Sequence, residues 1–311
     1  MKKNLFLGNK NAYKANLHCH TTVSDGRRTP EEIKAMYTAK GYSIVAFTDH
    51  NTLKPQSRLN DDSFLAINAC EVNINQTLPA SAIPGTTKTY HFNLYAIRPD
   101  MVHTPALPEM DYSDINAINK YIADRNQEGF LVNYNHPYWS MQTYIDYYKL
   151  KGCFAMEIYN HNCETEGYYG YHPQAYDEML RVGQRIYCLA VDDNHNSEPE
   201  NTPEFDSFGG YIQVNSNSLK YEDVMNALAK GDFYSSQGPE IYEISIDGDE
   251  LTIECSPVEN ITVYTIGRRC YIKTGTGLTG AKFKLNGTEG YIRVMCRDNK
   301  KRDANSNAFW L

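Results

Sequence analysis

The sequence predicts an α/β fold: a helix-covered parallel sheet, open or closed into a barrel, followed by a small all-β domain. Three observations carry this expectation. Between about residues 14 and 236, strand-like runs alternate with helix-like ones, as in a parallel sheet with helical crossovers. After Gly238-Pro239 no helical period remains, and short strand-like runs follow one another between turn signals. Several of the earlier strand-like runs also end in His, Asp or Glu, where the ends of parallel strands would converge on one rim. The expected division is 1–237 for the α/β part and 238–311 for a β-sandwich.

The strand candidates are 14–20, 43–49, 64–71, 90–97, 130–135, 154–159 and 186–192, with 211–214 as an eighth. The clearest helix begins at Thr29-Pro30-Glu31-Glu32. Thr29 suits the N-cap, Pro30 the first helical position, and Glu32 completes a capping box. Ile33, Met36, Tyr37 and Lys40 then share a face, and Gly41 ends the helix. Segments 112–128 and 173–182 follow the same logic, closed by Gly129 and Gly183. In 221–230 the residues Tyr221, Val224, Met225 and Leu228 form one stripe ahead of Gly231. The C-terminal strand candidates are 241–246, 251–254, 261–266, 281–285 and 291–296, with turns at Asp247-Gly248-Asp249 and Asn286-Gly287. No internal repeat or low-complexity tract interrupts this order.

With 311 residues and a 41% hydrophobic share, the chain can bury a sizeable core. No run approaches the ~20 apolar residues of a membrane helix. The N-terminus, from Met1 to Asn9, is basic and then apolar too briefly for a signal peptide. The eight cysteines are scattered with no C-x-x-C pair, and Cys70, Cys188 and Cys255 lie in apolar runs. Buried free thiols and a cytoplasmic location are expected. A net charge of −8 argues against a stable nucleic-acid partner, and no membrane partner is expected. It leaves room for a small anionic substrate, because bound cations can reverse the sign inside a pocket.

The chemistry is concentrated in the histidines. In Ala15-Asn16-Leu17-His18-Cys19-His20 the period of a strand places Asn16, His18 and His20 on one face. Two such imidazoles can chelate an ion or simply face solvent from an edge strand. Recurrence decides between them. One strand runs into Thr48-Asp49-His50, another ends at Glu71, and His91 opens the next. A further strand ends at Asn135-His136-Pro137, and the last at Asp192-Asp193-Asn194-His195. Six of the nine histidines thus occupy strand positions of this kind, while His103, His161 and His172 fall in loops without an assigned role. Core packing does not explain so many ligand-type side chains delivered to one rim.

In this order the motifs His-x-His, Asp25, Thr-Asp-His, Glu71, His91, Asn-His-Pro and Asp-x-His resemble the polymerase and histidinol phosphatase (PHP) family of metallohydrolases, over about residues 11–236. Ser24-Asp25-Gly26, Thr48-Asp49-His50-Asn51-Thr52, Glu157-Ile158-Tyr159-Asn160 and Asp193-Asn194-His195 are similar to its stand-alone bacterial phosphoesterases. The added β-domain, ending in Asn305-Ser306-Asn307-Ala308, resembles the carbaryl-hydrolase-like subgroup. The resemblance implies a distorted seven-stranded (β/α) barrel, amidohydrolase-like, with three divalent ions of zinc, manganese or iron. It assigns His18, His20, Glu71 and Asp193 to the first metal. Glu71 bridges to a second, completed by His91 and His136, while Asp25, His50 and His195 hold the third. Asp25 stands where some members use histidine, which shifts that site toward harder ions. Asp193 is preferred to Asp192 because it keeps the Asp-x-His spacing.

Beside these ligands, the candidate catalytic residues are Asp49, read as orienting an imidazole, and Glu157. Glu157, with Asn160, is read as a rim residue that positions ligand or water, against the plainer reading of a strand-end cap. Three divalent ions against three carboxylates and a bridging hydroxide leave a pocket charge of roughly +2, which favours a phosphoryl group. The expected activity is therefore hydrolysis of a small phosphorylated metabolite or nucleotide by that hydroxide. The alternative is hydrolysis of carboxylic or carbamate esters. A binding module with structural metals fits less well, since nine ligands over three metals leave positions open. Arg27, Arg28, Lys54, Arg58 and Arg125 are candidate phosphate clamps, and Tyr138 and Trp139 a candidate aromatic wall. Either the β-domain shapes the pocket mouth or it pairs subunits into a homo-oligomer.

Overall fold

The computed structural model describes residues 2–8, 12–79 and 81–311. It is a mixed α/β structure built on one large sheet. Strand β1 (Lys3–Leu7) precedes β2 (Ala12–Asn16), helix α1 (Pro30–Ala39), β3 (Ile44–Phe47), β4 (Leu65–Asn75) and β5 (Thr89–Ala96). Helix α2 (Ile115–Glu128), β6 (Phe130–Tyr134), the short α3 (Tyr144–Tyr147) and β7 (Ala155–Asn160) follow. Next come α4 (His161–Thr165), α5 (Pro173–Arg181), β8 (Tyr187–Val191), β9 (Tyr211–Asn215), α6 (Tyr221–Lys230) and β10 (Phe233–Ser236). The C-terminal strands are β11 (Ile241–Asp247), β12 (Glu250–Thr265), β13 (Cys270–Lys284), β14 (Tyr291–Arg297), β15 (Asp303–Ser306) and β16 (Phe309–Trp310).

Helix starts and stops obey local chemistry. At α1 the Thr29 hydroxyl accepts from Glu32 N–H, and Glu32 Oε2 accepts from Thr29 N–H. Asp114 caps α2, which ends on Gly129 at φ 103°. The α6 stripe is buried as its spacing predicts: Val224, Met225 and Leu228 join Ala15, Leu17, Ile44, Ile67 and Leu189 in one core cluster. A second cluster packs Ile118 and Ile122 of α2 and Met179 and Leu180 of α5 against Leu94 and Val132. Each such side chain stabilises the fold by about 1.5–3 kcal/mol on burial.

Two departures from the expected fold concern the sheet. Pairing β2–β3–β4 and β6–β7–β8 is parallel, but β5 runs antiparallel to both β4 and β6. No helix separates β4 from β5, and a parallel connection needs a crossover of a dozen or more residues. The Pro- and Gly-bearing segment 76–88 simply turns the chain back. Nor does the ladder run continuously around a (β/α) cylinder. It ends at β8, and β2 pairs on its other side with antiparallel β9. Beyond the strand ends, however, His20 N–H donates to Asn194 O, and Asp193 N–H to His18 O. The sheet therefore curls until the segments after β2 and β8 meet.

The C-terminal strands, read from sequence as a small β-sandwich, continue this same sheet through β15–β10 pairing. β12 is one long bulged strand spanning two of the expected short ones. The N-terminal basic-apolar segment, whose Met1 and Asn9 lie outside the described residues, contributes β1, which pairs with β11. The buried pair Arg293–Asp177 ties β14 to α5 with bonds of 2.6 and 2.8 Å.

Candidate metal centre

The rim where β2, β3 and β8 end carries the polar core of the molecule. Because β5 runs against its neighbours, its N-terminal end reaches that rim and delivers His91 there. Glu71 lies inside β4 rather than at its end, opposite Asn93, and forms an isolated bridge with His50. Three of the non-glycine residues with left-handed backbone lie in these rim segments: Asn51 (φ 54°), Asp193 (55°) and Asn196 (54°). Strain of this kind costs about 1–3 kcal/mol each and collects where a site must be shaped.

All nine residues assigned by resemblance to metals fall in one cluster, in three groups. In the first, His18 Nε2 and His20 Nε2 are 3.1 Å apart, and Asp193 Oδ1 lies 3.0 and 3.1 Å from them. Ligand atoms about 2.0–2.2 Å from one ion are spaced by roughly 3.0–3.4 Å, so these three donors suit a single cation. In the second, Glu71 Oε1 is 2.9 Å from His91 Nδ1 and 3.4 Å from His136 Nε2. The same oxygen is 3.4 Å from His18 Nε2, while Oε2 is 3.0 Å from His50 Nδ1 and 3.5 Å from His20 Nε2. Glu71 is thus the hub, with both oxygens shared between groups. In the third, Asp25 Oδ2 lies 3.5 Å from His50 Nε2 and 3.6 Å from His195 Nε2. His20 also belongs here: its Nδ1 faces Asp25 Oδ1 at 3.5 Å and is buried without a hydrogen-bond partner. The expected ligand sets kept His20 in the first group alone.

Electrostatics favour cation occupancy. Burial opposes charge on Glu71, yet His91 and His18 hold its carboxyl well below the usual range, and His18 does the same for buried Asp193. Burial works to lower His18, but Asp193, Glu71 and Glu157 raise it well above its ordinary value. Burial drives His20 down. Burial also works to lower His195, but a bond to Asp25 raises it to about 9, and that bond in turn lowers Asp25. Protons thus occupy imidazoles that neutral ligation would need, and a metal ion would displace them. The orphaned Nδ1 of His20 and the packed Nε2 atoms fit that exchange.

Three imidazoles are oriented by a partner on the nitrogen facing away from the cluster, the arrangement that fixes a ligating tautomer. His18 Nδ1 is 2.7 Å from Glu157 Oε1, His136 Nδ1 is 3.2 Å from Ser140 Oγ, and His195 Nδ1 is 3.0 Å from Asp193 O. This corrects the reading of Glu157 as a rim residue. It is fully buried, and Oε2 accepts from His136 N–H and Asn160 Nδ2, each at 2.9 Å. Asn160 also donates to Asp193 Oδ2 at 3.0 Å. Asp49 does not orient an imidazole. Its Oδ1 accepts from the backbone of Thr21 and Ser24 at 2.8 and 3.2 Å, fixing the turn that carries Asp25. Asp192 points away, accepting from Phe208, Gly209 and Gly210 N–H. Cys19 packs with Ile33 and Tyr37 in the core.

Asn135 entered the sequence reading only as part of the Asn-His-Pro motif, and the structure gives it a role: its Nδ2 donates to Glu71 Oε1 at 2.8 Å. Sequence reasoning missed Ser140 and Asp206, which accepts from His195 N–H at 2.6 Å. No local pattern marks these two, since each acts through a contact made only on folding.

A cavity of about 610 Å³ opens over the cluster. Its wall holds Glu166, Glu198, Glu204 and Asp206 and, among the described residues, no Lys or Arg. None of the five expected phosphate clamps lines it. Arg28 pairs with Glu32 and Arg58 with Glu31, while Arg125 bonds Ala106 O and Glu128. Long cationic side chains carry no directional signal in sequence, and these three are occupied within their own neighbourhoods.

No family model matches the chain, and no curated protein is similar to it in sequence. Among solved structures it is similar to a two-domain protein from Bacteroides vulgatus ATCC 8482 containing a predicted PHP-like metal-dependent phosphoesterase. That likeness has 14% identity, a TM-score of 0.50, and covers 99% of this chain and 98% of that one. It extends the shared fold over the C-terminal strands as well. A candidate metal-dependent phosphoesterase from Bifidobacterium adolescentis ATCC 15703 matches at 12% identity and a TM-score of 0.39, covering 64% of this chain and 92% of that one. No helix is long and apolar enough to cross a membrane, among the described residues.

Proposed function

We propose that the chain is a metal-dependent phosphoesterase of the PHP type, acting on a small phosphorylated metabolite or nucleotide at a three-metal site. The observation that carries the reading is the convergence of six imidazoles and three carboxylates into three donor groups around Glu71. The shared fold of the Bacteroides vulgatus protein supports it. In this reading β2–β8 act as a distorted barrel joined at its rim. Residues 1–237 form the catalytic unit and 238–311 the appended β-domain, closest to the carbaryl-hydrolase-like subgroup.

Bound divalent ions would supply a nucleophile at neutral pH and offset charge on the phosphoryl oxygens. The chain's own residues do the rest. His18, His20, Glu71 and Asp193 would hold one ion, Glu71, His91 and His136 another, and Asp25, His50 and His195 the third. Glu157 holds a proton on His18 Nδ1, leaving Nε2 its lone pair. Asp49 orders the turn bearing Asp25. Hydrolysis breaks the phosphorus–oxygen bond to the leaving alcohol, forms one to a water oxygen, and returns a proton to the alcohol. One observation favours a second reading, hydrolysis of neutral carboxylic or carbamate esters. The cavity offers no Lys or Arg among the described residues to an anionic substrate, so the ions alone would have to attract phosphate.

p-Nitrophenyl phosphate and naphthyl carbamate, each with manganese or zinc, separate the two readings. Phosphate hydrolysis that vanishes in His18→Ala supports the first. Carbamate turnover without activity on any phosphate ester overturns it.

A further inference from the structure

A second cavity, of about 890 Å³, adjoins the metal centre and shares His91 and Trp139 with the first. The Trp139 indole sits 5.5 Å from the His91 ring and edge-on to His136 at 5.1 Å, so it divides the metal rim from this neighbouring space. Tyr138, Met141 and Tyr168 complete its apolar wall. These four large side chains are 36–48% exposed, an unusual outlay of apolar surface beside a polar rim. The remaining lining groups include Asn75, Thr87 and Thr143, which are neutral donors and acceptors. Among the described residues, no Lys, Arg, Asp or Glu lines the cavity.

We propose, resting on the phosphoesterase reading, that this cavity is the subsite for an uncharged planar ring carried by the substrate's leaving alcohol. The charge pattern narrows the substrate class further. The metal cavity's outer wall is acidic and the second cavity is uncharged, so phosphate beyond the one on the metals meets no counter-charge and some repulsion. The substrate is a monophosphate ester of a ring-bearing alcohol, either a nucleoside or a simple aryl alcohol. Trp139 presents an aromatic face that tolerates any planar ring. The neutral hydroxyl and amide groups around it suit a heteroaromatic edge. Tyr138, Trp139, Met141 and Tyr168 would set specificity without touching the reacting atoms.

Trp139 and Trp310 are the chain's two tryptophans, so a Trp310→Phe background makes Trp139 the sole fluorescent reporter. In metal-loaded full-length protein, the probes are adenosine 5′-monophosphate, phenyl phosphate, glycerol 3-phosphate and adenosine. Both ring phosphates are expected to perturb Trp139 saturably and to bind about tenfold or more tightly than glycerol 3-phosphate, the scale of one stacking contact. Met141→Lys should collapse that ratio toward one. A preference for adenosine 5′-monophosphate over phenyl phosphate identifies the ring as a nucleobase, and equal binding identifies a general aryl site. Equal affinity for ring and glycerol phosphates, unchanged by Met141→Lys, overturns the subsite. Turnover assays on the same set separate the two readings. Equal hydrolysis of ring and glycerol phosphates leaves the phosphoesterase standing without its subsite. Adenosine binding at Trp139 with no phosphate hydrolysed leaves the ring site standing without the phosphoesterase.

Discussion

Replacing Glu157 by Gln tests how the buried shell controls the metal centre. Three groups donate to this carboxylate: His18 Nδ1–H at 2.7 Å, and His136 N–H and Asn160 Nδ2–H at 2.9 Å each. A carboxylate accepts all three, whereas an amide has one accepting oxygen and one donating NH2. If the NH2 faces Oε2's partners, two donors oppose it in a fully buried site, at about 1–3 kcal/mol for unsatisfied groups. If it faces His18, the imidazole must move its proton to Nε2 and loses the lone pair aimed at the cluster. Either way Glu157→Gln should weaken metal binding by about 10–100-fold, the usual effect of removing a carboxylate behind a ligating histidine. That is roughly 1.4–2.8 kcal/mol. Titration calorimetry of chelator-treated protein with zinc or manganese reads the change, and circular dichroism shows whether the variant is folded. A folded variant with affinity within twofold of the parent refutes the role given to Glu157.

Other expectations are simpler. A Cβ at Gly26 would meet His20 C and O at 2.5 Å and Thr21 N at 2.7 Å, backbone atoms that cannot step aside. Gly26→Ala should therefore displace Asp25 and lower the number of ions held per chain by one relative to the parent, counted by elemental analysis. In chelator-treated protein, His195 is raised from 6.5 to about 9 although burial opposes it, chiefly by Asp25. A raised folded-state value gives stability that is whole below pH 6.5 and lost as the pH climbs through about 9, on the order of 3 kcal/mol. Melting temperature should fall across that window and metal affinity rise, since ligation needs the neutral imidazole. A melting temperature that climbs there refutes the assignment. Arg293→Ala leaves Asp177 an unpaired, nearly buried carboxylate and should cost about 3–5 kcal/mol in urea denaturation.

Sequence carried the parts of this molecule whose signals are local. Thr29 and Glu32 forecast the capping box of α1, and the spacing of Val224, Met225 and Leu228 forecast the buried face of α6. The strand expected over 14–20 ends at Asn16, but the bridge of Cys19 to Asn194 carries its alternation on, so His18 and His20 still lie together with Cys19 in the core behind them. Direction and partnership were less legible. His91 opens its strand while His50, His136 and Asp193 follow the ends of theirs, and a shared rim requires that strand to run backward. β1 pairs with β11, more than two hundred residues away, and β13 passes through Lys273-Thr274-Gly275-Thr276-Gly277 without alternation. The contacts of Asp49 and Glu157 exist only because distant segments meet, so residue type suggested importance but not role. Arg28, Arg58 and Arg125 were illegible for the same reason: each guanidinium takes a carboxylate or carbonyl that folding brings near.

The most direct measurement is the number of divalent ions held per chain, determined by elemental analysis after loading with zinc or manganese and removing free metal. Three ions per chain are expected, falling when His18 and His20 are both replaced by Ala. A folded parent protein that retains no ion above the background of the double variant would contradict the metal centre itself.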